Sequence, residues 1–152
     1  MIPMIDDFKQ RFTLGDDFVV VADSGLMNKD NVTLLQEAGY KYIIGARIKS
    51  ESASVKQWIL SQEKTDKACY SYRRENGERP VVSYSDKRAK KDAYNRDRSI
   101  ARLRKAYKSG RITKNQVNKR GYNKFLEISK DIEVVISEEK IAEDCKWVGL
   151  KG

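Results

Sequence analysis

The chain has 152 residues, enough for one domain or a compact lobe with an appended piece, and 39% of them are apolar. Charged side chains make up 35%, above the usual quarter, and 31 Lys and Arg against 22 Asp and Glu leave a net charge of +9. The absence of histidine excludes His-based zinc sites and imidazole acid–base chemistry, and no apolar stretch reaches membrane-spanning length.

The positive charge is not spread evenly. Residues 1–66 hold 8 basic and 10 acidic side chains (−2), residues 67–130 hold 20 and 6 (+14), and residues 131–152 hold 3 and 6 (−3). The middle block alone therefore points to a polyanionic partner. Cys69 and Cys145 are far apart and belong to no metal or redox motif, and Met1 begins no charged-then-apolar signal segment. A reduced, cytosolic protein is expected.

In chain order, Ile5, Phe8 and Phe12 stand at helical spacing and predict a short amphipathic helix. After the turn Gly15-Asp16-Asp17, the unbroken run Phe18-Val19-Val20-Val21-Ala22 predicts a strand buried on both faces. Asn28 caps a helix carrying Val32, Leu35 and Ala38, closed by Gly39, and residues 40–46 form a second strand. The three elements read as a βαβ unit. Ser52 or Ser54 starts a helix through Trp58 and Leu60. Residues 68–74 and 80–85 alternate as a hairpin around Asn76-Gly77. From Asp86 to about Lys108 the pattern is helical with a thin apolar stripe of Ala93, Ile100, Leu103 and Tyr107, broken by Ser109-Gly110. A polar stretch with a short helix or loop follows. Residues 132–136 then read as a strand and residues 137–141 as a turn or short helix.

Three features carry chemistry. Asp23 ends the first apolar run, at the rim where open α/β sheets bind ligands. It reads either as an oxygen ligand for a hard divalent cation or as a cap of the following turn. The turn Asp23-Ser24-Gly25-Leu26-Met27 lacks both the G-x-G-x-x-G and the Walker pattern, so a phosphate cradle is not expected. Second, Lys87, Arg88, Lys90, Lys91, Arg96, Arg98, Arg102, Arg104 and Lys105, followed by Lys119 and Arg120, form a basic set. They read as a grip on nucleic-acid backbone or as a solvated helix face. Third, Tyr70, Tyr72, Tyr84, Tyr94, Tyr107 and Tyr122 are interleaved with the cations, as base-stacking platforms or as packing residues.

Taken together, Val19 to Leu26, Asn28-Lys29-Asp30-Asn31, Leu35 and Ala38 to Arg47 resemble the stretch around the second catalytic aspartate of DDE transposases of bacterial insertion sequences. The group is the one whose third acid lies in a Tyr-x2-Arg-x3-Glu-x6-Lys signature. The resemblance continues through Ser85-Asp86-Lys87-Arg88-Ala89-Lys90-Lys91-Asp92, Arg120-Gly121-Tyr122 and Lys146-Trp147-Val148-Gly149-Leu150-Lys151-Gly152. It implies an α/β fold: a partial ribonuclease H-like core over residues 1–60, and a basic α+β insertion over residues 61–152. It also implies that Asp23 is the second acid of a site for Mg²⁺ or Mn²⁺, and that the basic set holds DNA.

The signature itself is not found. Tyr70-x2-Arg73 begins it, but Gly77 stands where Glu is required, and Tyr94, Tyr107 and Tyr122 lack the Arg. Val148 replaces an acidic residue common in relatives. No Asp on a buried strand precedes Asp23. The resemblance therefore implies an internal fragment of a bacterial, cytoplasmic transposase, with a first acid upstream of Met1 and no strand cleavage by this chain alone. Pairing with an intact transposase, or a homodimer through an exposed sheet edge, is a further expectation. A free-standing nucleic-acid-binding module is the alternative.

Overall fold

Two apolar runs separated by a capped helix pair side by side: β1 (Val19–Ala22) and β2 (Lys41–Ile44) are parallel, with Val19 opposite Lys41 and Ala22 opposite Ile44. The computed structural model describes residues 2–13, 15, 18–25, 28–118, 120–131 and 133–152. They fall into two compact units, residues 1–51 with Gly152, and residues 52–151. The fold is mixed α/β, built from small sheets. Helix α3 (Ala53–Ser61) belongs to the second unit.

In the first unit, α2 (Lys29–Glu37) connects the parallel strands. Asn28 caps it, accepting a hydrogen bond from Asn31 N at 2.7 Å, and its own Leu35 is fully buried. The strands are not buried on both faces. Val19, Val21 and Ile43 are exposed, Val21 by 73%. Side chains alternate between the two faces of each strand, and the set on one face is left uncovered. Helix α1 (Ile2–Arg11) forms as expected but is only partly covered: Ile5 is buried, whereas Phe8 and Phe12 are exposed, with ring centroids 4.5 Å apart.

The second unit holds a three-stranded antiparallel sheet in the order β3 (Cys69–Ser71), β4 (Val81–Tyr84), β7 (Leu150–Lys151). The β3–β4 hairpin turns at Asn76-Gly77, where Asn76 Oδ1 accepts from Glu78 N at 3.1 Å. A second antiparallel pair, β5 (Leu126–Ile128) with β6 (Val134–Ile136), lies beyond the long helix α4 (Asp86–Lys108). Ile132, expected to start β6, lies outside the described residues. The predicted turn or short helix after β6 is a helix of more than two turns, α5 (Glu138–Lys146), capped by Ser137.

The core of this unit joins Ile100 and Leu103 of α4 to Phe125 and Leu126, with Ile112, Val117, Val134, Ile136 and Ile141 around them. Burying Leu103, 1% exposed, contributes about 1.5–3 kcal/mol. Tyr107, expected in the apolar stripe, is 43% exposed, and the buried part of the stripe is Ile100 and Leu103. Among the described residues no helix is long and apolar enough to cross a membrane.

Candidate nucleic-acid interface and the Asp23 strand end

Helix α4 is bounded by local signals. Ser85 Oγ accepts from Arg88 N at 3.5 Å, and Asp66 Oδ1 accepts from Asp86 N at 2.9 Å. The last turn ends at Ser109-Gly110. Between these limits stand ten cations and three carboxylates, a net of +7. Its inward stripe is Ala89, Ala93, Arg96, Ile100, Leu103 and Ala106, in steps of three or four residues.

The side opposite that stripe carries Lys87, Lys91, Tyr94, Arg98, Arg102 and Lys105, again in steps of three or four, and all are exposed. At 1.5 Å per residue the row is about 27 Å long. None of its five cations has an ion-pair partner among the described residues. Lys90 and Lys108 flank it, also exposed. Lys108 was not among the expected contacts, although its i+3 step from Lys105 marks it.

The remaining predicted cations are separated from this row. Arg88 reaches Asp92 at 3.5 Å, and Arg104 reaches Glu138 at 2.8 Å. Arg96 is a correction: its side chain is 15% exposed and bonds Asp97 Oδ1, so it belongs to the packed side. Arg120 is exposed ahead of a 3₁₀ turn (Gly121–Phe125), away from the row in sequence and element. Lys119 lies outside the described residues.

The tyrosines divide too. Tyr72 packs on Trp58 with centroids 5.3 Å apart, and Tyr70 donates its hydroxyl to Glu63 O. Tyr84 supports the start of α4; burial, then the nearby Asp86 and Asp66 carboxylates, push its phenol above the usual range. Tyr94 alone among them stands within the cationic row, 64% exposed.

What fixes the start of α4 is the segment 146–150. Gly149 O accepts from Ser85 N at 3.1 Å, and Gly149 N donates to Asp92 Oδ2 at 3.2 Å. Trp147 and Leu150 on either side are buried. Residues 85–92 and 146–150, far apart in the chain, thus meet here through residues 85, 92 and 149.

In the other unit, Asp23 follows the last residue of β1 directly, at the carboxyl end of the parallel pair, as expected. Its Oδ1 accepts from Gly25 N at 2.8 Å, so one oxygen caps the turn. The side chain is exposed, and Oδ2 has no partner among the described residues. The neighbouring strand end closes in tightly: a Cβ on Gly45 would lie 2.9 Å from Ser24 N, and Arg47 Nη2 donates to Ser24 O at 3.1 Å. Leu26 and Met27 of this turn lie outside the described residues.

A two-ion site needs several carboxylates converging on ions about 4 Å apart. Among the described residues no three His, Cys, Asp or Glu side chains are grouped so that they could hold a metal ion. Compared with protein-family models, curated proteins and solved structures, the chain gives no significant match.

Proposed function

We propose that the chain binds DNA through the outer face of α4, gripping phosphates without reading bases, as the DNA-holding part of a transposase-like protein. The observation that carries this reading is the row Lys87, Lys91, Arg98, Arg102 and Lys105: five exposed cations on one side of one helix, with no carboxylate partner among the described residues.

Helix stability does not account for the row. Lys87 stands in the first turn, where the helix dipole disfavours a cation by about 0.3–1 kcal/mol, and of the row only Lys105 lies in the last turn, where the dipole favours one. Solubility is served as well by mixed charge as by a one-signed face. A membrane surface is a poorer partner, because Ile100 and Leu103 are buried and α4 has no apolar face to insert. Phosphate contact needs only reach and positive charge, which an exposed row about 27 Å long provides.

Within the same reading Asp23 descends from the second acid of a ribonuclease H-like site for Mg²⁺ or Mn²⁺. Its position at the end of a parallel strand supports this, and the other carboxylates of such a site would come from outside the described residues. The chain alone then cleaves no DNA.

The test is the salt dependence of duplex binding. Five phosphate contacts give a slope of about −4.5 in log K against log salt, or about 500-fold weaker binding at 200 mM than at 50 mM. Unrelated sequences should bind alike. Arg98→Gln with Arg102→Gln should flatten the slope by about 1.8. A flat response, or no binding of either duplex or single-stranded DNA at low salt, rejects the proposal.

A further inference from the structure

We infer that the ligand of this face is single-stranded nucleic acid, with one unpaired base stacked on Tyr94 between phosphates held by Lys91 and Arg98; the inference rests on the proposed nucleic-acid reading and names its substrate class. Tyr94 is 64% exposed at the middle of the row. Lys91 lies three residues before it and Arg98 four after, so the cations sit about 4.5 and 6 Å to either side along the axis. Among the described residues the ring has no aromatic neighbour, no hydrogen bond and no cation over its face.

A tyrosine in that place gains little from folding. It buries little apolar surface, and it is a weaker helix former than the Lys or Arg around it. The other exposed tyrosines lack its setting. Tyr107 ends the helix on the side of the packed stripe, and the nearest downstream cation to Tyr122, Lys124, is taken up by Asp144 at 2.8 Å and by the Phe125 ring. A bare aromatic face flanked by unpaired cations offers what an unpaired base uses: stacking for the ring and charge for the phosphates on each side. Bases in a duplex are already stacked on their neighbours and would leave Tyr94 idle.

The experiment compares a short oligothymidine with a duplex of the same length, at low salt, for the full chain and for Tyr94→Leu and Tyr94→Phe. Tyr94 is exposed and Leu and Phe are both compatible with a helix, so folding is preserved; far-ultraviolet circular dichroism checks this. Tyr94→Leu is expected to weaken oligothymidine binding by about 5- to 150-fold and duplex binding by less than about twofold, while Tyr94→Phe keeps both. Equal losses on the two ligands, an undiminished Tyr94→Leu, or duplex binding without single-strand binding each overturn the stacking inference and leave the proposed grip on phosphates standing. Failure of the unaltered chain to bind either ligand overturns both.

Discussion

Gly149→Ala tests how the basic helix is held. Gly149 has φ +82°, in the left-handed region, and a Cβ there would lie 2.5 Å from Tyr84 Cε2 and 2.9 Å from the Ala89 Cβ. The left-handed backbone costs a residue with a Cβ about 1–2 kcal/mol. Forcing a methyl against the ring and the first turns of α4 adds about 1–3 kcal/mol, since neither the ring edge nor the helix can retreat freely. The expected destabilisation is therefore about 2–5 kcal/mol. Gly77 is an internal control: its φ is +83°, but nothing lies within 4 Å of a Cβ built there, so Gly77→Ala should cost only the backbone part. The reduced freedom of the unfolded chain is common to both substitutions and cancels in the comparison. Urea unfolding followed by tryptophan fluorescence reports on this unit, because Trp58 and Trp147, the two tryptophans of the chain, both lie in residues 52–151. Equal midpoint shifts for the two variants, with unchanged slopes, would refute the close packing of Gly149 on Tyr84 and Ala89.

Two further outcomes are expected. The hydrogen bond from Lys146 Nζ to Glu143 Oε2, 2.5 Å long, holds the Glu143 carboxyl below its ordinary range, so its contribution is present at pH values above that range and is lost as pH falls through the lowered value. In a nuclear magnetic resonance titration Lys146→Met should bring the midpoint back up, and an unmoved midpoint would contradict the assignment. Asp23→Asn, which keeps an oxygen for Gly25 N, should leave the first unit's stability nearly unchanged, whereas Asp23→Ala should cost about 1 kcal/mol through the lost cap, read as faster amide exchange at Gly25; identical exchange in both variants would deny the turn-capping role.

Where signals are local, residue order was enough. Helix α4 begins and ends at its expected residues because a Ser cap precedes it and Ser-Gly breaks it, and Asn28 caps α2 as expected; of the two candidates Ser52 and Ser54, it is Ser52 that caps α3. The parallel pairing of β1 with β2 follows from two apolar runs joined by a short capped helix. Strands β5 and β7 were not foreseen. They span three and two residues, too few to show a period; β5 exists because the neighbouring β6 folds back on it, and β7 because the distant β4 accepts it. The double burial expected of β1 failed for a related reason: an apolar run states what a strand can bury, not whether a second layer covers it.

The candidate interface divides along the same line. Charge density and helical spacing, readable from residue order, place ten cations on α4. Which of them are available was decided by residues far away in the chain: Glu138, which occupies Arg104, and the core around Phe125, which sets the inward stripe and leaves the opposite row to solvent. Propensity, capping and charge act over one or two helical turns and so are written in the order of residues. Burial and pairing depend on which surfaces meet, and that is settled only when the whole unit has packed.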